Sequence, residues 1–276
     1  MSLAPSLAIH QSCSFRWSLE QDLALYPKLG VKQIGVWRQK LSDLGEESGG
    51  QLILDAGLEV SSYHWAGGFT GSGIHSFDES LEDAFQAVKM AARLRAACLV
   101  VHSGGRGFHM KGHVRRLLKQ AYSDLAKYAA DENVAIAIEP MPLPEGKEWT
   151  VFQSLRDSVD FLKEVDASNL KILLDTVHCR ADLNDQALLR EATPLLAGVQ
   201  LADLEVPGRS KLPERKSLGH GQLPLVEIVR ELREAGYSGP WELELSGPVL
   251  EENSYESLIE ENQKAFIAIW SRAGAV

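Results

Sequence analysis

The chain has 276 residues, of which 45% are hydrophobic and 24% are charged, and its formal net charge is −10. The negative charge argues against a nucleic-acid partner, because affinity for nucleic acid rests on cationic contacts to phosphates. No apolar run approaches the roughly 20 residues of a membrane span, and the amino terminus lacks a signal-peptide pattern. Three cysteines without a C-x-x-C pair favour a reducing, cytoplasmic location and argue against a disulfide framework.

Short strand-like runs alternate with longer helical patterns along the whole chain. The strand-like runs are residues 7–13, 31–37, 59–65, 98–103, 134–140, 171–178, 198–203 and 241–246. The helical patterns are residues 18–29, 41–56, 76–96, 113–132, 152–165, 185–194, 224–236 and 255–270. Apolar runs such as VAIAI and KILL indicate strands that are buried on both faces, as in a parallel sheet. The alternation predicts an α/β chain that forms one (β/α)8 TIM barrel domain over residues 1–276, with an open doubly wound sheet as the alternative.

Polar and ionisable residues close nearly every predicted strand, which is where TIM barrels place their active sites. Strands five to eight end in Glu139, Asp175, Gln200 and Glu244. Three buried carboxylates repel one another unless a cation lies between them, so this set predicts one divalent metal ion. Oxygen ligands alone suit Mn²⁺ or Mg²⁺ better than Zn²⁺, which more readily accompanies histidine or thiolate ligands.

Six further residues at or near strand ends are predicted to contact the substrate. They are His178, Arg209, His102, His64, Trp37 and Trp65. His178 could instead support a metal ligand or bind a second metal, and His102 and His64 could be core histidines. The tryptophans could be core residues, and Arg209 could be solvated surface. The segment 203–222 is rich in Pro and Gly and is predicted to be a long functional loop. Glu242 shares a strand face with Glu244 and is expected one layer deeper in the barrel or beside a basic group.

Four motifs carry a resemblance to a known family. They are A-I-E-P at 137–140, L-D-T-V-H at 174–178, V-Q-L-A-D at 199–203, and L-G-H-G-Q-L-P-L with G-Y-S-G-P-W-E-L-E within 218–244. Together they resemble the xylose isomerase-like sugar phosphate isomerase/epimerase superfamily, which includes hydroxypyruvate isomerases, ketohexose 3-epimerases, inosose dehydratases and the endonuclease IV branch. The resemblance implies that Glu139, Asp175, Gln200 and Glu244 bind the metal, although the epimerases have histidine where this chain has Gln200.

Two further positions bear on the branch of the family. Hydroxypyruvate isomerases resemble this chain in a V/I-Q-I-A-like strand followed by P-G-R, which makes Gln200 a credible ligand. The endonuclease IV branch has an Asp-Arg-His motif where this chain has Glu214-Arg215-Lys216. An ammonium group has no lone pair with which to bind a metal, so Lys216 argues against a DNA-repair enzyme.

Residues and resemblance together predict a metal-dependent isomerase or epimerase that acts on a small sugar or keto-sugar. Glu139 and Glu244 are the expected catalytic groups, which move a proton next to a carbonyl through an enediolate. A metal-dependent lyase of the inosose dehydratase type and a degenerate, non-catalytic sugar-binding barrel remain as alternatives. The expected partner is a small molecule, with no nucleic acid or membrane, and a homo-oligomer is compatible with the sequence.

Overall fold

A computed structural model describes residues 4–205 and 213–274. Eight parallel strands close into a barrel, which confirms the predicted TIM barrel. These strands are β1 (Leu7–His10), β2 (Gln33–Trp37), β3 (Glu59–Gly67), β4 (Leu99–His102), β5 (Ile136–Ile138), β6 (Leu170–Asp175), β7 (Leu196–Leu201) and β10 (Trp241–Leu243). The barrel closes where β1 pairs with both β2 and β10. An antiparallel hairpin of β8 (Asp203–Glu205) and β9 (Glu214–Lys216) lies between β7 and β10.

Helices follow the barrel strands at close to the predicted positions. They are α1 (Leu19–Leu25), α2 (Arg38–Leu41), α3 (Glu46–Asp55), α4 (Phe77–Leu94), α5 (Lys111–Asp131), α6 (Leu155–Val165), α7 (Gln186–Ala192), α8 (Leu225–Glu234), α9 (Val249–Glu252) and α10 (Tyr255–Ala273). Ser18 and Ser76 begin α1 and α4 with capping boxes, which satisfy the free amide groups of the first turn. Within the described ranges, no helix has the length and apolar character to cross a membrane.

The barrel interior and the layer between strands and helices are separate apolar clusters. Residues such as Leu99 and Ile136 belong to the large outer cluster under the helices. Cys98, Val100 and Ala137 alternate with them and form a small cluster of their own with Leu173. Successive side chains of a strand point to opposite faces, so the small cluster fills the barrel interior. The same alternation places residues 139, 175, 200, 242 and 244 on the inner side of the barrel wall.

The hairpin β8–β9 gives structure to part of the predicted long loop. Leu204 pairs with Arg215, so the strand partner of Arg215 follows directly after β7. The buried carboxylate of Asp203 accepts hydrogen bonds from the backbone of Leu204, Gly219 and Leu223 at 2.9, 3.2 and 2.9 Å. These bonds tie the start of β8 to the segment that follows β9. Arg215 on β9 reaches the carboxyl ends of the barrel strands, where it contacts Asp175.

Candidate active site

A buried polar cluster lies at the carboxyl ends of β4 to β7 and β10. We call it the mouth cluster, and its members are His102, Glu139, Asp175, His178, Arg215 and Glu244. Glu139 is held between two imidazoles, because His178 Nδ1 donates to its Oε1 at 2.8 Å and His102 Nε2 donates to its Oε2 at 3.0 Å. Burial alone raises the pKa of Glu139, but these two hydrogen bonds outweigh it and hold the pKa well below its usual range.

Asp175 is fully buried and its oxygens are satisfied from two directions. Oδ1 accepts from the backbone N–H groups of Val177 and His178 at 2.7 and 2.8 Å. Oδ2 accepts from Arg215 at 2.8 Å. Burial opposes ionisation, yet Arg215 and His178 together lower the pKa of Asp175. Asp175 is therefore an ionised carboxylate paired with a guanidinium.

Arg215 connects the members of the mouth cluster. Besides Asp175, it donates to the backbone oxygen of Glu244 at 3.1 Å and lies 3.7 Å from Glu244 Oε2. A nitrogen of the same guanidinium lies 3.4 Å from His178 Nε2. Since Arg215 can only donate, His178 Nε2 is the acceptor, which agrees with a proton on Nδ1 facing Glu139. Arg215 thus already neutralises part of the carboxylate charge for which the sequence predicts a metal ion.

The surroundings of Glu244 shift its pKa in the direction opposite to that of Glu139. Its Oε2 is buried and finds no hydrogen-bond partner among the described residues, and its Oε1 lies 3.8 Å from His10 Nδ1. Burial is the main cause that raises the pKa of Glu244 well above its usual range, with Arg215 opposing and the charge of Asp175 adding to the rise. The two predicted catalytic glutamates therefore differ in their preferred protonation states. Paired carboxyl groups of this kind serve as acid and base in enzymes.

A second polar cluster lies below the mouth cluster, inside the barrel. We call it the interior cluster, and its members are His10, Ser61, Ser62, His64, Gln200 and Glu242. Glu242 Oε2 accepts from Ser61 and Ser62 at 2.5 and 2.7 Å, and its Oε1 accepts from Gln200 Nε2 at 2.7 Å. The deeper position expected for Glu242 is the one observed. Burial raises the pKa of Glu242 and lowers that of His64 to about 4.

Gly35 on β2 makes room for the interior cluster. A Cβ atom at this position would lie 2.5 Å from Glu242 Oε2 and 2.7 Å from the ring of His10. Contacts this short with buried side chains do not occur for real Cβ atoms, so only glycine fits. The local sequence Q-I-G-V-W therefore interrupts an apolar strand with a glycine for reasons of space.

Gln200 stands at the boundary of the two clusters. In the barrel register it lies beside Asp175 on one side and Glu242 on the other. Its amide nitrogen donates to Glu242, so its amide oxygen faces away from that carboxylate. This Oε1 is buried and lacks a hydrogen-bond partner among the described residues. An unsatisfied buried oxygen is costly unless a ligand uses it.

Two groups of side chains have the spacing of metal ligands. Glu139, Asp175 and His178 offer atoms that lie within 4.8 Å of one another, and so do His10, His64 and Glu242. Each group contains a carboxylate that already accepts three hydrogen bonds, Asp175 in the first and Glu242 in the second. The unpartnered Oε2 of Glu244 and Oε1 of Gln200 are further oxygen donors near the first group. The donor chemistry therefore suits a metal ion at the mouth cluster.

A cavity of 1040 Å³ opens beside the mouth cluster, on the side of β2 to β4. Four of the predicted substrate contacts line it, namely Trp37, His64, Trp65 and His102. His102 links the cavity to the mouth cluster, because it also binds Glu139. The register between β3 and β4 shifts between His64 and Ala66, which allows the neighbours His64 and Trp65 to face the same cavity.

The predicted site residues thus have distinct locations. Glu139, Asp175, His178 and Glu244 meet in the mouth cluster, Gln200 lies one layer below it, and Arg209 falls outside the described residues. Arg215 and Trp149 are site residues that the strand-end pattern does not reveal. Arg215 belongs to a hairpin within the predicted loop, and Trp149 belongs to the segment after β5. Each lies in a loop that leaves a barrel strand, and Arg215 also falls in the stretch Glu214-Arg215-Lys216, which aligns with the Asp-Arg-His motif of the endonuclease IV branch.

Comparison with known proteins gives one family match, described as xylose isomerase-like TIM barrel, over residues 24–268. One sequence relative, a D-psicose 3-epimerase of Enterocloster bolteae, is 29% identical over 117 residues, or 42% of this chain. The match spans 35% of that relative's length, about a third.

Solved structures show the same fold over nearly the whole chain. Protein SMc04130 from Sinorhizobium meliloti 1021 has a TM-score of 0.84 at 21% identity, covering 95% of this chain and 97% of its own. The IolI protein with a bound zinc atom has a TM-score of 0.82 at 17% identity, covering 99% of this chain and 100% of its own. At these identities the likeness concerns the fold alone.

Proposed function

The chain belongs to the xylose isomerase-like TIM barrel family, and we propose that it is a divalent-metal-dependent isomerase or epimerase of a small sugar or keto-sugar. One observation carries the proposal. A chain of buried polar contacts joins Glu139 to His178 at 2.8 Å, His178 to Arg215 at 3.4 Å, and Arg215 to Glu244 at 3.7 Å. These contacts support the proposal because they link the two carboxyl groups at the end of the barrel where TIM-barrel active sites lie.

The proposed metal ligands are Glu139, Asp175, Gln200 and Glu244, as the family resemblance implies. The spacing of Glu139 and Asp175 and the unpartnered oxygens of Gln200 and Glu244 support this set. A bound divalent ion supplies positive charge for the negative oxygens of an enediolate. The amide oxygen of Gln200 favours Mn²⁺ or Mg²⁺ over Zn²⁺, because both prefer oxygen ligands. The zinc bound by the IolI protein makes metal selectivity a direct test of this assignment.

Glu139 is the proposed base. Its carboxylate removes the proton from the carbon next to the substrate carbonyl. The electron pair of that C–H bond forms the C=C bond of the enediolate, and the π pair of the carbonyl moves onto its oxygen. Glu244 is the proposed acid, which returns a proton to the opposite face of the same carbon in an epimerase. In an isomerase it protonates the former carbonyl carbon, and the proton of the neighbouring hydroxyl group passes to the former carbonyl oxygen. The raised pKa of Glu244 favours its protonated form and supports the acid role, whereas the lowered pKa of Glu139 keeps it ionised but makes it a weaker base.

Three cationic or donor groups complete the proposed site. Arg215 is positioned to donate to substrate oxygens, while His178, whose Nδ1–H faces Glu139 and whose Nε2 accepts from Arg215, holds these two groups in place. His102 keeps Glu139 in place through its 3.0 Å hydrogen bond. Trp37 and Trp65 line the adjoining cavity and exclude water from one side.

The test is solvent proton exchange on the metal-depleted and reloaded enzyme. Ketoses, aldoses, inososes and hydroxypyruvate are incubated in D₂O with the chelated protein, then with added Mn²⁺, Mg²⁺ or Zn²⁺. We expect deuterium uptake at a carbon next to the carbonyl that depends on the metal and is fastest with Mn²⁺ or Mg²⁺. Exchange at full rate after metal removal, or no metal binding by calorimetry, would overturn the proposal.

A further inference from the structure

The large cavity beside the mouth cluster has room for more than the reacting sugar. Its volume is 1040 Å³, while pockets that bury drug-sized ligands span about 300–1,000 Å³. It shares His64 with the interior cluster and His102 with the mouth cluster. From there it extends to Ser72, which precedes α4, and to Asp83 within α4. A single hexose ring held at Glu139 leaves most of this space to another group.

The wall nearest the mouth cluster is aromatic. Trp65 stacks on His102 with ring centroids 5.4 Å apart and an interplanar angle of 24°. Trp149 meets Trp65 edge to face at 5.2 Å and His102 at 5.7 Å. Trp65 and Trp149 remain 38% and 42% exposed, which is high for tryptophan in a folded protein. Flat apolar faces next to polar groups match the C–H faces and hydroxyl edges of a sugar ring.

The wall is fixed in place by the backbone. Gly104 N–H donates to the carbonyl of Trp149 at 2.9 Å, and Gly105 N–H donates to that of Glu148 at 3.1 Å. A Cβ at Gly105 would lie 2.3 Å from the carbonyl oxygen of Lys147, so only glycine allows the two segments to approach this closely. The segment after β4 therefore holds Trp149 against Trp65 without a ligand.

The charged part of the lining is mostly acidic. Its carboxylates are Glu46, Asp78, Glu79, Glu82, Asp83 and Glu148. The arginine in the lining, Arg38, is engaged by Asp83 at 2.9 Å, by Glu46 at 2.8 Å and by the carbonyl of Trp65 at 3.0 Å. Among the described lining residues, this leaves no unpaired Lys or Arg for a phosphate group. Carboxylates repel phosphate and accept hydrogen bonds from sugar hydroxyls.

We propose that this cavity is a subsite for a second sugar ring, and that the substrate is an uncharged two-ring keto-glycoside rather than a free or phosphorylated monosaccharide. The inference rests on the proposed function for the identity of the reacting ring. The aromatic wall of Trp65 and Trp149 holds the second ring, and the acidic rim accepts its hydroxyl groups. The same rim excludes a phosphate group at this end of the site.

The test compares three ketoses that differ only in the substituent on O6. Fructose, isomaltulose and fructose 6-phosphate carry hydrogen, a glucosyl ring and a phosphate, and the disaccharides turanose and maltulose vary the linkage. Binding to the Mn²⁺-loaded enzyme is measured by calorimetry and tryptophan fluorescence, separately from deuterium exchange. We expect at least one disaccharide to bind about tenfold more tightly than fructose. Fructose 6-phosphate is expected to bind more weakly than that disaccharide.

Variants of the aromatic wall localise the effect. Trp149→Ala is expected to abolish the gain from the glucosyl ring, while Trp149→Phe keeps most of it because a flat ring remains. Phe108→Ala is the matched control, since Phe108 is exposed but is not among the residues that line the cavity. A tighter complex with fructose 6-phosphate, or a glucosyl gain that survives Trp149→Ala, would overturn the subsite. Disaccharide binding without any deuterium exchange would instead keep the subsite and refute the proposed reaction.

Discussion

The mouth cluster and the interior cluster are both buried, yet they balance their charge in different ways. In the mouth cluster, Glu139 and Asp175 contact imidazole and guanidinium groups. In the interior cluster, Glu242 is satisfied by two hydroxyl groups and an amide, all of them neutral. Neutral donors hold a carboxyl group in place without adding charge. The cationic Arg215 adds a positive charge with which a bound ligand can interact. We therefore regard the interior cluster as support for the mouth cluster.

The largest effect is expected from neutralising a carboxylate of the mouth cluster. Glu139→Gln keeps the shape of the side chain but removes its basicity, so kcat/KM in the exchange assay should fall about 10³-fold. Glu244→Gln should fall by a similar factor, because an amide does not transfer a proton. The matched control is Glu132→Gln, an exposed residue at the end of α5. If both mouth variants retain turnover close to that of the control, the assignment of base and acid is wrong.

Removing the cation should also have a large effect, seen in stability. Arg215→Met leaves the fully buried Asp175 without its partner, which typically costs about 3–5 kcal/mol of the free energy of unfolding. Urea unfolding of metal-depleted protein measures this loss. Adding Mn²⁺ should restore more stability to Arg215→Met than it adds to the wild type, because the ion replaces the missing positive charge. Equal metal effects on the two proteins would show that the metal does not contact Asp175.

Substitutions in the interior cluster should change metal affinity only through their effect on Gln200. Glu242→Gln lets the side-chain amide of Gln200 rotate by half a turn, since a glutamine at 242 can present either its accepting oxygen or its donating nitrogen to Gln200. We expect Mn²⁺ affinity, measured by calorimetry or electron paramagnetic resonance, to fall about tenfold. The control is Ser61→Ala, which removes a hydrogen bond to the other oxygen of Glu242 and should leave Mn²⁺ affinity nearly unchanged. Unchanged affinity in Glu242→Gln would refute Gln200 as a metal ligand.

The smallest expected effect is a pH dependence that belongs to the interior cluster. Burial holds the pKa of His64 at about 4, below the usual 6.5 of a histidine side chain. The unfolded chain therefore takes up a proton first as the pH falls, and stability present above pH 6.5 is lost between about pH 6.5 and 4. The loss is about 1 kcal/mol between pH 6.5 and 5.5. Urea unfolding of wild type and His64→Gln should show the two free energies converging as the pH falls; parallel curves would contradict this.

The fold and the strand-end residues were open to prediction, because both follow from a repeating pattern. Alternating apolar runs and helical segments define the barrel, and the inward face of each strand end then holds Glu139, Asp175 and Glu244. Arg215 could not be predicted in this way, since its position depends on a hairpin register and on the backbone contacts of Asp203.

Two other features depend on local geometry that a sequence pattern does not contain. Strict alternation would send the side chains of His64 and Trp65 to opposite faces of β3, but the register shift brings both to the cavity. The amide of Gln200 has two orientations with almost the same shape, and contact with Glu242 selects between them. Each feature is decided by neighbours far away along the chain.

The close packing of Gly35 against the interior cluster restricts which substitutions can occur at position 35 in related proteins. The space above its Cα atom is filled by Glu242 and His10, which come from the other end and the beginning of the chain. A residue larger than glycine can therefore be accommodated at position 35 only after Glu242 has been replaced by a smaller residue. Positions 35 and 242 should change together among relatives, and a lineage that keeps this glutamate should also inherit the glycine.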